Sequence, residues 1–69
     1  MTQVTAEMTA NVWKLTVSEG EVVSAGQTIA MLESMKMEIP VEATVDGTVH
    51  FVVQEGDDVA EGTVLAVIS

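Results

Sequence analysis

The sequence has no cysteine, one proline, two aromatic residues and only two basic residues among 69 positions. Without cysteine there are no disulfides and no thiolate metal sites, so the small size is not offset by covalent staples. The two lysines, Lys14 and Lys36, face eleven acids, and the net charge of −9 argues against nucleic acid or an anionic membrane as partner. The longest apolar run, Val64 to Ile68, is too short to span a bilayer as a helix. The start, Met1-Thr2-Gln3-Val4, has neither the basic nor the apolar region of a signal peptide, so a cytoplasmic location is expected. What is abundant is β-branched: 13 Val, 3 Ile and 8 Thr, side chains that suit a pleated surface better than a helical turn. An all-β unit filling residues 1–69 is expected, with no linker and no helix-length amphipathic stretch.

An internal repeat organises the chain. Displacing the sequence by 36 positions aligns residues 12–33 with 48–69 without a gap. Six positions are identical: Val17/Val53, Glu19/Glu55, Gly20/Gly56, Val23/Val59, Gly26/Gly62 and Ala30/Ala66. Each copy reads strand, Glu-Gly turn, valine, second glycine, strand. Gly20, Gly26, Gly56 and Gly62 are therefore read as turn residues needing positive φ, since none of them opens a phosphate-binding helix. Gly47 is read with them as a turn glycine, and in the same alignment Asn11 occupies its place in the first copy.

The predicted strands are 2–7, 11–17, 28–33, 37–41, 47–53 and 63–69, with short bridges near 21–22 and 57–58. Pro40 cannot donate to a ladder and so belongs to an edge or a strand end. Two copies, each too small to bury its own apolar face, imply internal two-fold symmetry. Under an offset of 36 the mates of Lys36 are the two chain ends. Strands 28–33 and 37–41 then form a hairpin with Lys36 at its tip, opposite a pairing of 64–69 with 2–5. Ser34-Met35-Lys36-Met37 has no Gly, Asn or Pro, the residues a tight turn prefers, so the tip is shaped by some other demand.

Little else resembles a reactive site. His50 is the only histidine and is expected on an outward strand face; no serine has an evident base. Asp57-Asp58 and Glu19/Glu21 sit in turns, where acids usually face solvent, and they lack the EF-hand spacing of a Ca²⁺ loop. Trp13 is expected at a core or rim, and no metal site is predicted. Lys36 stands apart because Met35 and Met37 bracket it between Glu33 and Glu38. Alternate strand positions face opposite ways, so methionine on both sides is poorly explained as core filler.

Glu33-Ser34-Met35-Lys36-Met37-Glu38 resembles the attachment motif of biotinyl domains, usually Glu-Ala-Met-Lys-Met. The likeness extends to Gly-Glu-Val-Val-x-x-Gly at 20–26 and Gly-Asp-Asp-Val-x-x-Gly at 56–62, and so to essentially the whole chain. It is nearest to the small free-standing biotin/lipoyl attachment proteins, and the ungapped repeat leaves no room for the thumb insertion of some carboxyl carriers. Ser34 replaces the usual alanine, a small-for-small change, and the methionines depart from the lipoyl pattern.

The resemblance implies a flattened β-barrel or sandwich of two four-stranded antiparallel sheets, monomeric in isolation. It implies a non-catalytic carrier whose Lys36 is biotinylated by a biotin protein ligase. The arm then carries carboxybiotin between biotin carboxylase and carboxyltransferase sites. In that reading Glu33, Ser34, Met35, Met37 and Glu38 are the ligase-recognition residues. The alternatives are a lipoyl or dual biotin/lipoyl carrier, with lipoate on the same lysine, and an unmodified interaction domain.

Overall fold

The computed structural model describes residues 1–69 and consists of strands and turns alone. Eight strands run β1 (Thr2–Thr5), β2 (Ala10–Leu15), β3 (Val22–Val23), β4 (Thr28–Ser34), β5 (Met37–Glu42), β6 (Gly47–Phe51), β7 (Asp58–Val59) and β8 (Val64–Ile68). They form two antiparallel four-stranded sheets, ordered β1-β8-β6-β3 and β5-β4-β2-β7. Replacing β1, β8, β6 and β3 by β5, β4, β2 and β7 turns one order into the other, the symmetry the repeat implies. The sheets stay separate, so the fold is a sandwich and not a closed barrel. β1 and β5 are left as free edges on one flank. Pro40 lies in edge strand β5.

Alternation supplies the core. Inward residues Ile29, Leu32, Leu65, Ile68, Val12, Val23 and Val49 are almost fully enclosed between the sheets. They belong to two clusters, one around Val23, Ile29, Val49 and Ile68, the other around Ala6, Val12, Leu32 and Leu65. Every buried residue is aliphatic and none is polar, which is how so small a chain supports itself without disulfides.

The register corrects the ungapped alignment. Val12 pairs with Leu32 and Lys14 with Met31, leaving Trp13 as an extra residue in a β-bulge. In the second copy Val49, His50 and Phe51 pair consecutively with Ile68, Val67 and Ala66. The structural mate of Val12 is therefore Val49, and that of Gly47 is Ala10 rather than Asn11. Gly47 and Ala10 each face the second residue of a two-residue strand, Val23 and Val59 respectively. Asn11 instead donates from Nδ2 to the Gly56 carbonyl at 2.9 Å and to Asp58 Oδ1 at 3.0 Å. Trp13 is half exposed on the bulge.

Gly20, Gly26, Gly56 and Gly62 have φ between 81° and 94° in the turns. Gly47 is not in a turn: it is the first residue of β6, paired with Val23, and is needed for a different reason. A Cβ there, at φ 153°, would lie 2.6 Å from the Ser69 carbonyl oxygen and 2.8 Å from Ile68 Cγ2. The two bridges lie one residue later than the sequence suggests. β2 and β6 end two residues early, at Leu15 and Phe51, for a reason that emerges at the turns.

Candidate functional site

β4 and β5 form a hairpin in which Glu33 faces Glu38 and Ser34 faces Met37, leaving Met35 and Lys36 as a two-residue turn. Both turn residues have positive φ, 52° at Met35 and 66° at Lys36, and they are the only non-glycine residues in the chain that do. This is a primed turn, whose twist matches the flanking strands but which normally takes Asn-Gly. Left-handed backbone costs an L-residue roughly 1–2 kcal/mol. No tertiary contact rewards it here, because Met35 is 92% exposed. The strain is therefore not offset by packing within the chain.

The strained turn lifts Lys36 clear of both sheets. Its side chain is exposed and its amine enters no ion pair or hydrogen bond within the chain, the only ion pair being His50–Glu19. Met37 is 63% exposed, and Glu33 and Glu38 lie exposed two register rows behind the turn, while Ser34 is half buried. Asn11 pairs with both Glu33 and Asp58, so Glu38, Glu33, Asn11 and Asp58 form one row across the outer face of their sheet. The structure thus gathers Glu33, Ser34, Met35, Lys36, Met37 and Glu38 at one end and adds Asp58, which the motif does not contain.

The turn acids do more than face solvent. Glu19 Oε1 accepts a 2.6 Å hydrogen bond from the Phe51 amide, and Glu55 Oε2 accepts one of 2.9 Å from the Leu15 amide. Glu19/Glu55 and Leu15/Phe51 are both repeat mates, so each copy reaches across to hold the strand of the other. The carboxylate substitutes for a neighbouring strand where the two-residue β3 and β7 have ended, which is why β2 and β6 stop at Leu15 and Phe51. The Phe51 amide and then His50, whose Nδ1 lies 2.8 Å from Glu19 Oε2, hold the Glu19 carboxyl below its usual pKa of 4.5. Glu21 and Asp57 close their own turns by accepting from Ser18 and Gln54, at 3.1 and 2.8 Å. These acids are therefore engaged with backbone amides. His50 is exposed on the outer face, as its alternation predicts. The signal for the cross-repeat bonds was present in the sequence as the identity Glu19/Glu55, which a glycine turn alone does not require.

The structure is a small all-β sandwich that presents one exposed, unpaired lysine on a strained hairpin tip. Comparison with known proteins places this architecture in a family. The family model described as "Biotin-requiring enzyme" matches residues 1–68. The biotin/lipoyl attachment protein of Bacillus subtilis is 48% identical over 67 residues, 96% of this chain and 92% of that one. A homolog of the biotinylated protein TB7.3 from Mycobacterium leprae is 49% identical over 67 residues, covering 96% and 94%. Among solved structures, the urea carboxylase of Kluyveromyces lactis superposes over 99% of this chain with a TM-score of 0.91 and 35% identity. That match takes up 6% of the carboxylase's own length. The chain belongs to the biotin/lipoyl family.

Proposed function

We propose that this chain is a biotin carrier whose Lys36 receives biotin as an amide and serves a biotin-dependent carboxylase. The observation that carries the reading is the tip. Lys36 is exposed and unpaired on a turn whose backbone strain no internal contact explains. Two relatives of nearly the same length, a biotin/lipoyl attachment protein and a biotinylated protein, support the cofactor. The urea carboxylase match supports carboxylase partners, and its acceptor substrate is not transferred to this chain.

The residues present suit such an attachment. The Lys36 amine has no carboxylate to displace and no neighbouring atoms to clear. A ligase presents the acyl group as its adenylate. The lysine nitrogen, deprotonated by the ligase, attacks the acyl carbon; the N–C bond forms, the bond from that carbon to the phosphate oxygen breaks, and AMP leaves. Exposed Met35 and Met37 offer flexible apolar surface on either side of the amine. Glu33 and Glu38, with Asp58 in the same row, give the approach a negative field that steers a basic partner surface. When bound, biotin supplies a ureido nitrogen that accepts and releases a carboxyl group. The domain contributes tethering, which keeps that nitrogen at high effective concentration near two partner sites.

The test is intact mass and peptide mapping after co-expression with a biotin ligase and excess biotin. One biotinyl group on the peptide containing Lys36 is expected. Lys36→Arg should abolish it with the fold retained, whereas modification persisting in that variant would move the site to Lys14 or the amino terminus. An unmodified wild-type chain that accepts lipoate from a lipoyl ligase would replace this reading with the lipoyl one.

A further inference from the structure

Because the sandwich is open on the flank between edge strands β1 and β5, it carries a groove of about 610 Å³ there. That volume lies within the roughly 300–1,000 Å³ of clefts that hold small molecules. The groove is asymmetric. At one end lie Glu7, Met8, Leu32 and Ile39; at the other lie Ala25, Gly26 and residues 42–44. Ala6 and Leu32 share a core cluster with Ile39 packed against it, which places the 6–8 segment alongside the hairpin. On β4 the inward residues Ala30 and Leu32 are fully buried, but on β5 the inward residues Ile39 and Val41 are only half covered. The missing cover is on the groove side.

On β5 the groove begins at Ile39, three residues beyond Lys36. Met37, Ile39 and Val41 alternate onto the same face of β5, so an apolar track runs from the residue beside Lys36 down the groove wall. Four residues of strand span about 13–14 Å. A lysine side chain extended by a five-carbon acyl chain reaches roughly 12–14 Å from its Cα. We propose that the biotinyl arm on Lys36 folds back onto the module and rests in the near end of this groove. Its methylenes lie along Met37, Ile39 and Met8, and its ureido N–H groups face the Glu7 carboxylate. The occupant is therefore the chain's own prosthetic arm, selected by reach, by the continuous apolar track and by an acceptor matched to its donors. The carrier then has a resting state in which the reactive ring is shielded by its own domain, and a partner enzyme draws it out.

This inference rests on biotin attachment at Lys36, so mass is read before anything else. Isotope-labelled whole chain is compared, unmodified and biotinylated, by amide chemical shifts and by NOEs from the arm methylenes. The expected result is shift changes at 7–8 and 39–41 as well as at the tip, with NOEs to the Met8 and Ile39 methyl groups. Met8→Asp should remove the NOEs and the groove shifts while the mass gain and tip shifts persist; Met8→Leu should retain them. Shift changes confined to 33–38 with no NOE to the groove overturn the resting site and leave biotin attachment standing. No mass gain overturns both.

Discussion

Replacing Met35 with asparagine should stabilise the domain and, under the proposed function, make it a poorer substrate for a biotin ligase. Met35 has φ 52° and is 92% exposed, so the substitution removes backbone strain and forfeits almost no buried area. Asparagine tolerates the left-handed region better than methionine and, unlike glycine, adds little freedom to the unfolded chain. Recovering most of a penalty of roughly 1–2 kcal/mol gives an expected gain of about 1 kcal/mol. For a domain of this size that corresponds to a Tm increase of about 4–8 °C. Thermal and urea unfolding of the unmodified proteins read the gain, and the rate of biotin incorporation in a ligase assay reads the cost. The inverse movement of the two is the point: it is what the proposed function predicts if a turn residue poor for the hairpin is kept for recognition by a ligase. A Tm unchanged or lowered would refute the claim that the turn is strained. A higher Tm with an undiminished rate would refute the claim that the strain serves recognition.

Gly47→Ala should be the costliest of the glycine replacements, because its Cβ meets the Ser69 carbonyl oxygen and Ile68 Cγ2. Overpacking of about 1–3 kcal/mol joins the left-handed penalty. Gly20→Ala, at φ 81° with open space around it, bears only the second, and equal unfolding midpoints for the two would refute the steric argument. Glu19 titrates below its usual value in the folded state, so its contribution to stability is present above pH 4.5 and is lost as pH falls through the lower folded value. Glu19→Gln should therefore flatten the acid limb of a urea-midpoint profile below about pH 4.5. An acid limb identical to that of wild type would show that the carboxylate is not held by Phe51 and His50.

Most of the architecture was legible because two periods were superimposed: alternation within strands and an offset of 36 between copies. The second period identified the hairpin and its tip without any turn signal, since it placed Lys36 opposite the paired chain ends, and β1 indeed pairs with β8. It failed at Trp13. A one-residue bulge changes no residue type that marks a turn, so the identities from Val17 onward held the alignment in place while residues 10–12 had slipped by one. The slip matters, because it assigned Asn11 a glycine's role when its side chain in fact ties β2 to the turn at Gly56 and Asp58.

The glutamates show the opposite case, in which the sequence held more information than was drawn from it. A turn needs its glycine, yet Glu19 and Glu55 are also identical between the copies, and turn chemistry has no use for that identity. Its use is reciprocal: each carboxylate caps an amide of the other copy at the point where a two-residue strand runs out. Short strands β3 and β7 and long-reaching glutamates are thus one solution to one problem, how to close the ends of a sandwich without lengthening the chain. By the same logic the flank between β1 and β5 has no such cap. The groove is what remains where this economy stops, and it runs along β5, the strand that begins beside Lys36.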